Sequence, residues 1–158
     1  MKRPWNIIDL PVYSLLSNDI NGNINMNICT YVSAVSMKPK IYSIAIDFKT
    51  KTYDNLISCD RVVLQLLSKK NISLVRTLGK KSGKKIDKNN YLKKKKLFNW
   101  KGYEVLEDVC ALVELVKSEE IKINGDHHIF LFNAVSYKSY SDKDILTTKD
   151  LIEKKIIL

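Results

Sequence analysis

The chain has 158 residues, 45% of them hydrophobic and 28% charged, with a formal net charge of +10. This length and balance predict one globular domain over residues 1–158 and exclude wholesale disorder. No apolar run nears the ~20 residues a membrane-spanning helix needs, and Met1-Lys2-Arg3-Pro4-Trp5 lacks the apolar core of a secretion signal, so a cytoplasmic location and no membrane are expected.

Residues 12–17 (VYSLLS) have strand composition and lead into Asn18-Asp19-Ile20-Asn21-Gly22-Asn23, a cluster of turn formers. Residues 25–52 then hold two apolar runs joined by a Met37-Lys38-Pro39 turn. Neither run alternates cleanly: Ile28, Thr30, Val32 and Ala34 fall on one face, Cys29, Tyr31, Ser33 and Val35 on the other. That pattern predicts strands covered on both sides. The second run leaves through Asp47 into an exit rich in hydroxyls and lysines, residues 48–52.

A short helix is expected over residues 52–58, with Thr52 as N-cap and Asp54 in the first turn. Residues 61–67 return to strand composition, and residues 71–78 read as a helix closed by Gly79 at its C′ position. Residues 80–90 are predicted to be a mobile loop, and the lysine-rich stretch they open is predicted to add nothing to the core. Beyond it, residues 109–124 and 128–137 flank Asn124-Gly125, a strong hairpin signal. The tail, residues 142–158, reads as a strand or a short helix around residues 151–155. Six or seven strands with few helices predict a closed or nearly closed β-barrel.

The charge is local. Residues 80–101 hold ten lysines and one acid, Asp87, so this window carries +9 and the rest of the chain is nearly neutral. Among the 27 basic residues only Arg3, Arg61 and Arg76 are arginine, and few aromatics (Tyr91, Phe98, Trp100) lie among the lysines. Both features speak against a nucleic-acid-binding barrel, the reading the lysine block would otherwise favour.

Chemistry has few places to reside. Thr50 and Thr52 are two apart, flanked by Lys49 and Lys51, and stand where a helix is expected to begin. Hydroxyls, ammoniums and a helix N-terminus together suit a phosphate, although a solvated loop with an ordinary cap accounts for the same residues. Thr30 and Ser33 are hydroxyls in an apolar run and need partners, either backbone or ligand. His127 and His128 follow Gly125-Asp126; as neighbours on a strand they point to opposite faces, which disfavours a shared metal, so no metal site is expected. One of them can serve as a hydrogen-bond or proton donor, or both can belong to a polar turn. Cys29, Cys59 and Cys110 are far apart in apolar runs and read as buried, inert thiols. Nucleophile-elbow, dinucleotide, P-loop and zincin motifs are missing, and five glycines argue against a doubly wound nucleotide fold.

The order of parts carries a further reading. A β run Asn25-Met26-Asn27-Ile28-Cys29-Thr30-Tyr31 precedes Val35-Ser36-x-x-Pro39 and a strand ending Asp47-x-x-Thr50-x-Thr52. Leu78-Gly79-Lys80-Lys81-Ser82-Gly83 with Asp87-Lys88 follows, then Gly125-Asp126-His127 entering an apolar strand. This succession resembles the flavin reductase-like family of FMN-binding split-barrel proteins, which includes flavoredoxins, and the likeness covers residues 12–136. It implies a mainly β, Greek-key split barrel with a few short helices, acting as a homodimer with FMN as cofactor and NAD(P)H as electron donor. On that resemblance Asn27, Ile28, Cys29 and Thr30 would lie along the flavin ring and ribityl chain. Asp47, Lys49, Thr50 and Thr52 would hold the ribityl and phosphate, with Lys88 in the same neighbourhood, and His127 would approach the flavin or the nicotinamide as the catalytic residue. The chain departs from the family pattern at Phe132-Asn133-Ala134-Val135, where Gly-Glu-Val is usual, and at Phe48-Lys49, where an arginine is common. A flavin reductase is therefore the expected activity, with a non-catalytic electron carrier as the nearest alternative.

Overall fold

The computed structural model describes residues 3–157. It is mainly β. Seven strands form one antiparallel sheet: β1 (Tyr13–Asn18), β2 (Ile24–Cys29), β3 (Val32–Met37), β4 (Lys40–Asp47), β5 (Arg61–Leu66), β8 (Ala111–Ile121) and β9 (His127–Ser139). Their spatial order is β2-β1-β5-β8-β9-β4-β3. A separate hairpin pairs β6 (Leu97–Trp100) with β7 (Tyr103–Leu106). The two edges of the large sheet, β2 and β3, are consecutive in the chain and separated only by Thr30 and Tyr31. So short a link forces the sheet to curl until its edges meet. The Ala45 N–H donates to the Tyr31 carbonyl at 3.0 Å, which carries the β3–β4 ladder one pair further into that link. The sheet curled in this way is a split barrel.

Residues 25–35 were expected to run as one strand covered on both faces. They break at Thr30–Tyr31 into β2 and β3, and most of β3 is exposed, because as the last strand of the sheet it has nothing over it in a single chain. The double coverage falls instead on β1 and β5. Leu16 and Val63 pack with Met26, Val75, Leu78 and Leu112 in one cluster; Leu15, Val62 and Leu64 pack with Ile44, Leu56, Phe130 and Phe132 in another. Each fully buried Leu, Val or Phe contributes about 1.5–3 kcal/mol, so these two strands anchor both cores.

Four short α-helices decorate the barrel: α1 (Lys51–Ser58), α2 (Ile72–Lys80), α3 (Lys88–Lys93) and α4 (Thr148–Glu153). Three differ from expectation. The N-cap of α1 is Thr50, whose Oγ accepts from the Tyr53 N–H at 3.2 Å; Thr52 lies inside the first turn. Gly79 sits within α2 rather than beyond it. A Cβ there would stand 3.3 Å from the Ile28 side chain, so the glycine allows α2 to lie close on β2. The lysine-rich segment was expected to be mobile and coreless, yet it folds into α3 and buries Lys88 and Leu92. An Asp87 cap on the Asn90 N–H starts this helix, and the (CH₂)₄ stem of Lys88 behaves as an apolar side chain. The Asn124-Gly125 hairpin forms as the sequence indicates, joining β8 to β9.

Candidate functional site

The sheet register brings together stretches far apart in sequence. β4 and β9 pair so that Asp47 stands opposite His127 and Ile46 opposite His128. Beyond Asp47 the chain turns: the Asp47 carboxylate accepts from the Lys49 N–H at 2.8 Å, and the Thr50 hydroxyl donates to the Asp47 carbonyl at 2.7 Å. This turn delivers Thr50 to the start of α1. The N–H groups of Lys51 and Thr52 then have no acceptor within the helix, as at any helix N-terminus.

A cavity of about 320 Å³ opens at this junction, lined by Asn27, Ile28, Cys29, Thr30, Tyr31, Ala45, Ile46, Asp47, Thr50 and His127. Seven of the ten residues expected at the site therefore meet: Asn27, Ile28, Cys29, Thr30, Asp47, Thr50 and His127. Burial pushes the Cys29 thiol up to about 12, so it packs as an un-ionised apolar group. The His127 Nδ1 lies 2.7 Å from the Asp126 carboxylate, and the Tyr31 ring meets the imidazole edge-on at 5.6 Å. Hydrogen bonding to His127 lowers the Asp126 pKa, so this carboxylate stays ionised beside the ring.

Lys49, Thr52 and Lys88 are placed differently. Lys49 is exposed, its ammonium 5.9 Å from the Phe48 ring centre. Thr52 is buried, and its hydroxyl accepts from the Asn25 amide at 3.0 Å. Because it sits one residue into α1, Thr52 cannot present its hydroxyl beside that of Thr50 as an extended backbone would. Lys88 is buried with its ammonium donating to the Met26 carbonyl at 3.0 Å and the Leu78 carbonyl at 2.6 Å. Burial lowers its pKa to about 8, and two of its three donors hold α2 and α3 on β2. Lys88 also lines a second cavity.

This second, separate cavity of about 390 Å³ lies further along β2 and α1, lined by Asn25, Lys51, Gly83, Lys84, Lys85, Lys88 and neighbours. Asn25 is 4% exposed, and its Oδ1 is buried with no hydrogen-bond partner among the described residues. A Cβ on Gly83 would stand 2.4 Å from that oxygen and 3.0 Å from the Lys51 Cβ. Gly83 is thus required by close approach, and the acceptor beneath it lacks a donor. Lys51 was read in the sequence as an ammonium flanking a possible phosphate site, whereas Asn25 and Gly83 stood there only as members of motifs. The period of two along β2 places Asn25 on the face of Asn27, but the approach of Gly83 comes from the α2–α3 connection, which has no local signal.

The largest cavity, about 820 Å³, lies elsewhere, among Phe98, Tyr140, Cys110, Lys69, Lys70 and Asp108. Two of its cations are paired, Lys70 with Asp108 at 3.0 Å and Lys69 with Asp150 at 3.2 Å. None of the expected site residues reaches it.

Residues 8–150 match the flavin reductase-like domain. The chain belongs to that family. No curated protein matches it in sequence. Among solved structures, an FMN-binding protein from Thermus thermophilus with bound 1-cyclohex-2-enone superposes with a TM-score of 0.76 at 21% identity, covering 88% of this chain and 75% of that one. Flavoredoxin from Methanosarcina acetivorans gives 0.77 at 16% identity, covering 93% and 84%. An NADH:FAD oxidoreductase from Streptomyces globisporus, in complex with NAD and FAD fragments, gives 0.74 at 13% identity, covering 89% and 81%. At these identities the likeness is one of fold, and it agrees with the split barrel. The residues present also fit the family's flavin: β2 supplies both a slot walled by strand backbone and, two residues earlier, a lysine-lined cavity with the Asn25 Oδ1, unpaired among the described residues.

Proposed function

We propose that this member of the flavin reductase-like family binds FMN along β2, across the slot and the lysine-lined cavity beyond it, and works as an NAD(P)H-dependent flavin reductase. The carrying observation is the convergence of the end of β2, the β4 exit and the start of β9 on one slot, with a second, lysine-lined cavity further along β2 and α1. Bound there, the flavin supplies two-electron chemistry, taking hydride from a nicotinamide and releasing electrons onward.

The chain's own residues bind and orient. The β2 stretch Asn27–Thr30 offers backbone groups along the slot. The first turn of α1 leaves the Lys51 and Thr52 N–H groups without helix acceptors, and Lys51 and Lys85 add positive charge for a phosphate, while Lys84 is paired with Asp54 at 3.1 Å. Asn25 Oδ1 is an acceptor that a ligand hydroxyl would satisfy. His127 has its Nδ1 tied to Asp126, which leaves Nε2 to hold or give a proton at the mouth of the slot.

A homodimer suits the exposed apolar surface. Val35 and Met37 on β3 are 55% and 78% exposed, and Val135 and Tyr137 on β9 are 51% and 77%. Within the sheet, β9 beyond Asn133 pairs only with β8, so one backbone edge is open there. Three free cysteines, with Cys29 and Cys110 buried, fit a reducing cytoplasm.

Titrating the purified protein with FMN, followed by stopped-flow mixing with NADH and NADPH, tests the reading. Saturable FMN uptake with rapid bleaching of the flavin band by one nicotinamide is expected. A protein that takes up no FMN would overturn it, whereas FMN uptake with slow reduction by both nicotinamides would make the chain an electron carrier.

A further inference from the structure

Three titratable side chains from three elements meet beside the slot without lining it. The Tyr53 hydroxyl, from the first turn of α1, donates to Glu120 Oε1 of β8 at 2.6 Å. His128 of β9 places Nδ1 2.8 Å from the same carboxylate oxygen and 3.1 Å from the Tyr53 oxygen. Tyr53 has one proton and gives it to Glu120, so the His128 nitrogen facing that oxygen must carry a hydrogen of its own. The triangle is closed, with every donor facing an acceptor. Its rings pack as well: His128 lies 5.4 Å from Tyr53 and 5.7 Å from Phe48, and Tyr53 lies 5.7 Å from Phe130.

We propose that Tyr53, Glu120 and His128 are positioning residues, a latch that fixes Thr50 and His127 relative to each other across the flavin slot. One end of the latch acts through Tyr53, whose backbone N–H donates to Thr50 Oγ. The other acts through His128, the neighbour of His127 on β9. The hairpin tip needs such an anchor. Residues 121–126 are all exposed, and outside the strand ladders the tip is held by a Phe48 N–H to Asp126 carbonyl bond at a long 3.4 Å and a local bond from Gly125 to Ile123. Without the latch, the strand start that carries His127 would be held to the rest of the slot mainly by the β4–β9 ladder. The loop bearing Asp47 is drawn in too, through Phe48 against His128.

The proposal rests on the slot being the flavin site, and its test separates the two. Tyr53→Phe removes one hydroxyl and keeps the ring; Glu120→Ala removes the shared acceptor; Glu120→Gln keeps an oxygen for Tyr53. Tyr53→Phe and Glu120→Ala are each expected to weaken FMN binding about tenfold, measured well below the melting temperature. The double variant should be no weaker than Glu120→Ala alone, because both changes break one unit, and Glu120→Gln should recover most of the affinity. In the flavin-free protein, the His127 ring resonances should shift or broaden in Tyr53→Phe. FMN affinity within twofold of the parent in both single variants would overturn the latch, whatever happens to the melting temperature. Should the parent protein take up no FMN, the flavin reading fails and the His127 resonances decide alone: unchanged signals in Tyr53→Phe overturn the latch, and shifted ones support it.

Discussion

Asp47 and His127 are direct partners across the β4–β9 ladder, 80 residues apart in the chain and side by side on one cavity wall. The pairing brings the two residues together through the backbone ladder, and the Tyr53–Glu120–His128 contacts act on top of it. Thr50 extends the same arrangement, since its hydroxyl both donates to the Asp47 carbonyl and accepts from the Tyr53 N–H.

Thr50 is thereby the cap of α1 and the corner of the site. Replacing it with alanine removes both bonds and is expected to cost about 1 kcal/mol of stability, with the range for such caps at about 0.5–2 kcal/mol. In a chain of this size that corresponds to a melting temperature lower by about 2–4 °C, readable by calorimetry. Thr52→Val, by contrast, should act through Asn25, whose amide would lose its acceptor and turn within the second cavity. A melting temperature unchanged in Thr50→Ala would show that the cap does not hold the helix.

The lysine-rich segment divides into two parts. Lys84 and Lys85 line the cavity beside Asn25, while Lys93 and Lys95 line another with Gly22, Leu97 and Glu104. Neutralising Lys93 to Lys96 is expected to leave FMN affinity within about twofold, whereas Lys84→Gln with Lys85→Gln should weaken it by about an order of magnitude and flatten its salt dependence. Equal losses from both sets, measured by fluorescence titration at two ionic strengths, would mean that the whole segment attracts the ligand by bulk charge.

The sequence carried much of the fold because the large cues were local. The strand composition of residues 12–17 and 61–67 and the Asn124-Gly125 turn lead directly to β1, β5 and the β8–β9 hairpin. Seven of the residues expected at the site line one cavity; the β4–β9 register sets Asp47 beside His127, and the end of β2 supplies Asn27, Ile28, Cys29 and Thr30 to the same wall. Errors arose where tertiary contact overrides local pattern. Val35 reads as a residue of a doubly covered strand, yet it lies exposed on an edge strand. Lys88 looks like a solvated charge, yet two backbone carbonyls in a helix–strand seam take two of its donors. Asn25 and Gly83 form one feature from two segments 58 positions apart, and no spacing rule connects them.

Lys88 makes a pH-dependent prediction. Its folded pKa is lowered to about 8 by burial, against about 10.4 for a free lysine. Between those values the unfolded chain binds more protons than the folded one, so this residue makes stability rise with pH from about 8 to about 10.4. Below pH 8 the burial penalty is present in full. In Lys88→Met that rise should vanish, while the loss of two donors leaves the Met26 and Leu78 carbonyls unpaired and lowers stability throughout. Urea unfolding of both proteins from pH 7 to 10.5 checks this: the gap between parent and variant should widen as pH rises. A constant gap would mean that Lys88 titrates normally.

Glu114 gives the opposite pH window. It is 8% exposed and accepts from the Arg61 guanidinium at 2.9 Å, the Tyr103 hydroxyl at 3.1 Å and the Ser136 hydroxyl at 2.8 Å. These bonds, led by that from Ser136, hold its carboxyl below the ordinary value. A depressed carboxylate contributes stability above its unfolded pKa of about 4.3 and loses it as pH falls through the folded value. Tyr103 belongs to the β6–β7 hairpin, so the carboxylate also ties that hairpin to the large sheet. Glu114→Ala should cost about 2–3 kcal/mol at pH 7, since donors are left facing an apolar gap. It should cost less at pH 3, where the parent's own carboxylate is partly protonated. Hydrogen exchange then locates the damage: the amides of β6 and β7 should lose protection before those of β1 and β5, and uniform loss across all four strands would mean that Glu114 supports the barrel as a whole rather than the hairpin's attachment to it.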